Sequence, residues 1–216
     1  MAFVIVLDTE TTNTLEEPIA YDIGWAVVNL ETEEVVKTES YAVAEVFLDK
    51  EWMAAAYFAE KVPSYWEEIK HGDRKLARLY TIRKSLLVDC RTYGVKEIYA
   101  HNAYFDYCST AFTIRYLTGS KRRYFLPYGI KICDTLKMAR QAFGKNEDYR
   151  AFCEENGYKT ARNQVRLTAE ILYRYMSGDN DFEEVHKGVD DVLIEKEILF
   201  ECLRRGIEDG ALWAKE

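Results

Sequence analysis

Asp8 and Glu10 stand two residues apart at the end of the apolar run Ala2-Phe3-Val4-Ile5-Val6-Leu7. A strand repeats every two residues, so both side chains point to one side and two carboxylates converge at a sheet end. Ligands of open α/β sheets bind beyond the carboxyl ends of strands, which makes this edge a favoured place for a site. Asp106 closes the stretch His101-Asn102-Ala103-Tyr104-Phe105-Asp106, a strand-to-helix junction that directs a third acid to the same edge. The last group is His186-Lys187-Gly188-Val189-Asp190-Asp191. Residues five apart on an ideal helix diverge by roughly 140°, so His186 and Asp191 share a side only if His186 lies on a loop and the helix begins near Gly188. Acids and an imidazole gathered in this way are the side chains of hard-cation binding and proton transfer. Taken singly, each has a plainer role: Asp8 as a strand end, Glu10 as a solvated acid, Asp106 in a helix's first turn, Asn102 as a helix cap.

The elements that must carry these residues are legible in outline. The opening run reads as a central strand covered on both faces, and two further strands, about Tyr21 to Asn29 and about Glu34 to Tyr41, form a meander beside it. Apolar residues from Trp52 to Tyr93 recur at helical spacing, and Pro63 is expected to break this region into two or three helices. Glu97 to His101 predicts a short strand, Phe105 to Leu117 a helix ended by Gly119, and Tyr124 to Ile132 a fifth strand. Asp134 or Thr135 then caps a helix to about Phe143. Three more helices are expected, near Asp148 to Asn156, Arg166 to Met176 and Gly188 to Arg205, with a turn cluster at Ser177 to Asp181. With no repeat and no linker, residues 1–216 read as one α/β domain.

Composition narrows the class. With 48% hydrophobic and 31% charged residues the chain is able to form a core, and no apolar run approaches the ~18 residues of a membrane span. Lacking also a signal-like leader, it is expected to be cytoplasmic with no membrane partner. Five cysteines, widely spaced and without a C-x-x-C pair, suggest reduced, mostly buried thiols rather than disulfides or a zinc cage. A net charge of −8 is the wrong sign for binding nucleic acid by bulk charge. The average conceals a division: Arg115 to Arg166 holds 12 basic and 5 acidic residues, a surplus of +7, leaving −15 elsewhere. Lys121, Arg122, Arg123, Arg150, Lys159, Arg162 and Arg166 are its candidate phosphate contacts.

In order and spacing, Asp8-Thr9-Glu10-Thr11-Thr12, then His101 to Asp106, then His186 with Asp191, resembles the three motifs of the DEDDh 3′-to-5′ exonucleases, and Asp134-Thr135 with Lys137-Met138-Ala139-Arg140 resembles the family's segment before its late helices. The resemblance implies a ribonuclease-H-like α/β fold, with a mixed five-stranded sheet flanked by helices. It also implies that Asp8, Glu10, Asp106 and Asp191 hold two divalent cations, Mg or Mn, and that His186 is the general base. Thr11 and Thr12 would lie beside the terminal nucleotide through backbone groups, with Asn102 and Tyr104 as further nucleotide contacts, Tyr104 by stacking on a base. The partner implied is the 3′ end of single-stranded DNA or RNA, with a DNA polymerase as a further partner class. Asn13 stands where glycine often follows Thr-Thr, and asparagine tolerates the left-handed backbone such a turn needs. Asp190 competes with Asp191 for the last carboxylate, and the spacing from His186 favours Asp191. Two alternatives accompany this: a non-catalytic nucleic-acid or polymerase-binding module of the same fold, and an aspartyl-phosphate phosphohydrolase resembling the haloacid-dehalogenase-like enzymes, which usually carry a second aspartate where Glu10 stands.

Overall fold

The computed structural model describes residues 2–213. Its first three strands, β1 (Phe3–Thr12), β2 (Ile19–Asn29) and β3 (Val35–Val43), form an antiparallel meander. Three shorter parallel strands extend it: β4 (Lys75–Ala77) beside β3, β5 (Glu97–Ala100) beside β1, and β6 (Lys131–Asp134) beside β5. The mixed sheet runs β4-β3-β2-β1-β5-β6. It therefore has six strands rather than the expected five. The extra one, β4, is a three-residue edge strand inside the region whose periodicity reads as helix, too short to leave a pattern of its own. The strand expected from Tyr124 is shorter than predicted and spans only Lys131–Asp134, because Pro127 lacks a ladder donor and Gly129 sits at φ +81°.

Nine α-helices are described around the sheet. Short α1 (Ala44–Phe47) and α2 (Lys50–Ala54) precede α3 (Val62–His71) and α4 (Leu79–Thr92), and Pro63 initiates α3 rather than breaking a helix, since the first turn has no use for its missing N–H. Then follow α5 (Ala103–Thr118), α6 (Thr135–Ala142), α7 (Glu147–Glu155), α8 (Ala169–Ser177) and α9 (Gly188–Arg204). None of the described helices is long and apolar enough to cross a membrane. Four of the five free cysteines are buried and Cys108 is half-buried.

Strand alternation sorts the core into two layers. Ile5, Leu7, Ile23, Trp25 and Val27 pack with Ile82, Leu86 and Ile114 of α4 and α5. Val4, Val6, Ala26 and Val28 pack on the other face with Met138, Leu172, Ile198 and Leu199 of α6, α8 and α9. Even-numbered positions of β1 and β2 thus face α9, and so do Asp8, Glu10, Asp22 and Gly24. At Gly24, which pairs with Asp8 across the ladder, a Cβ would lie 2.3 Å from the backbone nitrogen of Val189. At Gly188 a Cβ would lie 2.9 Å from the nitrogen of Gly24 and 3.2 Å from the Asp8 carbonyl oxygen. Two glycines facing one another let α9 start directly on the sheet.

Backbone atoms cannot yield as a flexible side chain does, so Gly24→Ala is expected to lower stability by about 1–3 kcal/mol, the usual cost of overpacking. Urea denaturation with an unchanged slope should read this as a lower midpoint; a midpoint equal to wild type would show that α9 does not need the close approach.

Candidate active site

β1 does not stop at Asp8 but continues to Thr12, with a register shift between Glu10 and Thr11. Asp8 and Glu10 are therefore held on a strand proper, on the α9 face. Thr9, between them, faces the other way, and its Oγ1 donates to Asp106 Oδ1 at 2.9 Å, tying the first turn of α5 to β1. Asn102 precedes α5 at φ +70°; its side chain makes no cap, and its N–H donates to Asp134 Oδ1 at 3.0 Å. Asp134 also accepts the Leu136 N–H at 2.9 Å and so caps α6, in keeping with the predicted cap.

At the third element α9 begins at Gly188, with His186 outside it at φ +53°. The left-handed backbone of His186 is held by its own N–H, which donates to Asp191 Oδ1 at 3.2 Å. The imidazole stacks on Phe58 with centroids 4.3 Å apart, and its Nδ1 lies 3.8 Å from Glu184 Oε2. Behind the loop, fully buried Asp22 accepts the Gly188 N–H at 3.1 Å and the Tyr65 hydroxyl at 2.8 Å and pairs with the buried Arg74 guanidinium. Lys187, just before the helix, pairs with Glu68, which also holds Arg74. Asp190 turns towards this network, while Asp191 turns into the cleft.

The cleft measures about 1110 Å³. Asp8, Glu10, Asp106, His186 and Asp191 all line it, together with Asn102, Phe105, Glu184 and Glu195. Ligand atoms of Glu10, His186 and Asp191 lie within 4.8 Å of one another. Arg140, Arg150, Lys159 and Arg166 line the same cleft. Thus part of the basic segment shares the cleft with the acids, whereas Lys121, Arg122, Arg123 and Arg162 are not among its lining residues. Thr11, Thr12 and Tyr104 are not among the lining residues: the Thr12 hydroxyl donates to the Trp52 carbonyl at 2.5 Å, and Tyr104 is 58% exposed. Asn13 takes the left-handed turn at φ +74°, its side-chain amide donating to the Glu17 carbonyl.

Burial dominates the electrostatics. It pushes Asp106 up to about 7, Asp191 up to about 8 and Glu10 up to about 9, with neighbouring carboxylates adding to the rise. Asp8 is raised by burial and then by the charges of Glu195, Asp106, Glu10 and Asp191. His186 moves the other way, lowered by burial and by the Lys61 charge, which favours the neutral ring. His101 is half-buried and also lines the cleft, its Nε2–H donating to the Leu167 carbonyl at 2.7 Å. Glu195, not anticipated from the motifs, accepts the His101 N–H at 3.1 Å and adds a fifth acid to the cluster. Its signal was the helical repeat, since it stands four residues after Asp191 on α9. Glu184 was also missed, two residues before His186. The donor set of carboxylate oxygens and one imidazole fits a hard divalent cation, whose positive charge would relieve the burial and mutual repulsion that raise these carboxyls.

The chain has the fold of the DEDDh-family 3′-exonucleases. The nuclease domain of 3′hExo, a DEDDh family member bound to rAMP, matches it with a TM-score of 0.65 at 16% identity over 99% of this chain and 97% of that one. A full-length 3′-exonuclease matches with a TM-score of 0.60 at 16% identity, covering 99% of this chain and 90% of that one. The E. coli ExoI–ssDNA complex gives 0.59 at 13% identity, over 95% of this chain and 40% of the ExoI chain. No family model and no curated protein sequence matches the chain.

Because the acids hold protons that an incoming cation must displace, manganese binding is expected to release protons at pH 7 and to tighten from pH 6 to pH 9. Calorimetry in buffers of different ionisation enthalpy measures both. The same shifts fix the sign for stability. Each raised carboxyl binds more protons folded than unfolded, so its contribution is complete below about pH 4 and is lost as pH rises through its folded value, up to about 9 for Glu10. The metal-free protein should therefore melt lower at pH 9 than at pH 6, and manganese should reverse that loss.

Proposed function

We propose that this chain, with the fold of the DEDDh 3′-exonucleases, is itself a metal-dependent 3′-to-5′ exonuclease that hydrolyses single-stranded DNA or RNA, with residues 1–216 forming one catalytic domain. The observation that carries this is the meeting, in one cleft, of Asp8, Glu10, Asp106 and Asp191 with the imidazole of His186. Asp8, Glu10, Asp106 and Asp191 would hold two divalent cations, magnesium or manganese. When bound, such ions offset the charge that develops on the attacking and leaving oxygens of a phosphodiester.

The chain's own groups supply the rest. His186, unprotonated and braced between Phe58 and Glu184, accepts the proton of the attacking water. The imidazolium so formed has Glu184 beside it, its Oε2 3.8 Å from Nδ1. Arg140, Arg150, Lys159 and Arg166 line the same cleft as the acids and are suited to holding the phosphates of the strand. This arrangement lets an acidic protein accept a polyanion, because positive charge is concentrated where the phosphates lie. Asn102 and Phe105, at the mouth of α5, are the lining residues suited to contact the terminal nucleoside. A phosphoaspartate mechanism is less well supported, since neither Asp106 nor His186 has a task in it.

Digestion of 3′-labelled and 5′-labelled DNA and RNA strands with magnesium provides the test. Shortening from the 3′ end is expected, abolished in Asp8→Asn and reduced about 10²- to 10⁴-fold in His186→Ala. Asp8→Asn should at the same time raise the metal-free melting temperature, because it removes a buried like charge. Equal activity in all three proteins would exclude the assigned site.

A further inference from the structure

Beyond the cleft, on the sheet face covered by α4 and α5, lies a second concavity of about 820 Å³. Its rim carries exposed aromatic rings: Tyr128 is fully exposed, Tyr80 is 77% exposed, and Tyr124 and Trp213 are about half exposed. These rings are not loosely hung. Tyr107 packs edge-on against Trp213 at 4.9 Å and stacks with Tyr124 at 6.2 Å, and the Arg115 guanidinium lies 4.9 Å from the Tyr124 centroid. Trp213 is fastened by the Leu212 N–H, which donates to the Ile132 carbonyl at 2.9 Å, and by the bridge between Ala211 and Cys133.

Charge is equally one-sided. Arg83, Arg122 and Arg123 line the concavity, and no aspartate or glutamate is found among its described lining residues. Among the described residues, these arginines, with Arg115 and Lys121 beside them, form no ion pair with a carboxylate, although acids outnumber bases 37 to 29 in the whole chain. Exposed aromatic faces interleaved with unpaired guanidinium groups complement the bases and phosphates of an unpaired strand. The first turns of α5 connect the two places, since Asp106 lines the cleft and the next residue, Tyr107, lines the concavity.

We propose that this aromatic and arginine-rich concavity is a second binding site for single-stranded nucleic acid, holding the body of a strand whose 3′ end occupies the cleft; the direction of the strand rests on the exonuclease assignment, the binding itself does not. Short strands fill the cleft alone and gain nothing from it. Longer strands span both sites.

The experiment is fluorescence anisotropy of the chelator-treated full chain with labelled oligothymidylate and oligouridylate of about 4 and about 20 nucleotides. The proteins compared are wild type, Arg122→Glu/Arg123→Glu and Tyr128→Ala, all altered at exposed positions. The expected result is that the double variant binds the longer strand at least about tenfold more weakly, with a salt slope lower by roughly 0.7 per arginine, and the shorter strand as wild type does. Tyr128→Ala should lose about fivefold on the longer strand with its salt slope unchanged, as lost stacking requires. Comparing the thymidine and uridine series shows which sugar the site accepts, either one supporting it. Undiminished affinity of both variants for both long strands would overturn the proposal and point to a protein surface instead. Because no strand is cut, the expected binding in a protein without nuclease activity would sink the exonuclease assignment alone, whereas 3′ trimming by variants with unaltered long-strand affinity would sink the second site alone.

Discussion

The contact on which the site depends is made by two residues without side chains. Gly24 and Gly188 bring β2 and the first turn of α9 to backbone distance, and Asp8 is the ladder partner of Gly24. Once the helix starts there, Asp191 enters the space over Asp8 and Glu10, and Glu195 follows one turn later. Asp22 secures the same junction with charge, since its carboxylate takes the Gly188 N–H while Arg74 neutralises it. A buried pair of this kind is strongly destabilising to break, by roughly 3–5 kcal/mol when one partner is lost, because the other remains charged and dry. Steric permission at the glycines and charge pairing at Asp22 therefore act on one point of the fold.

β1 serves both faces of the sheet through its alternation. Its even positions put Asp8 and Glu10 under α9, whereas its odd position Thr9 reaches through to hold Asp106 on α5. Helices from opposite layers thus contribute acids to a single cleft at the end of one strand. The cleft's acids are stable together only when protonated or when positive charge is brought in, so the fold stores repulsion where a cation relieves it. That repulsion is opposed by the two apolar layers on either side of the sheet.

The charge distribution follows the same division of labour. Acids and the cations Arg140, Arg150, Lys159 and Arg166 line the cleft, and arginines without carboxylate partners line the second concavity with exposed rings. Net charge says little about any one surface here because it sums groups that line different concavities.

From the amino-acid sequence, the α/β class, the first three strands, the helices α5 to α9 and the acids at three junctions could be read, because strand and helix periods and capping residues act over a few neighbours. The place of Gly188 was legible too, since His186 and Asp191 cannot share a helical face. What tertiary structure decided was of longer range. β4 exists because β3 offers it an edge; Tyr124 to Ile130 stays irregular; Glu195 and Glu184 join the cluster, and Asp22 with Arg74 fastens it. The Thr12 hydroxyl is spent on the Trp52 carbonyl, a partner forty residues away that no local pattern announces. Local sequence sets the direction and period of each element, but the burial that raises a carboxyl or leaves an arginine unpaired is a property of surfaces that meet only when distant segments pack.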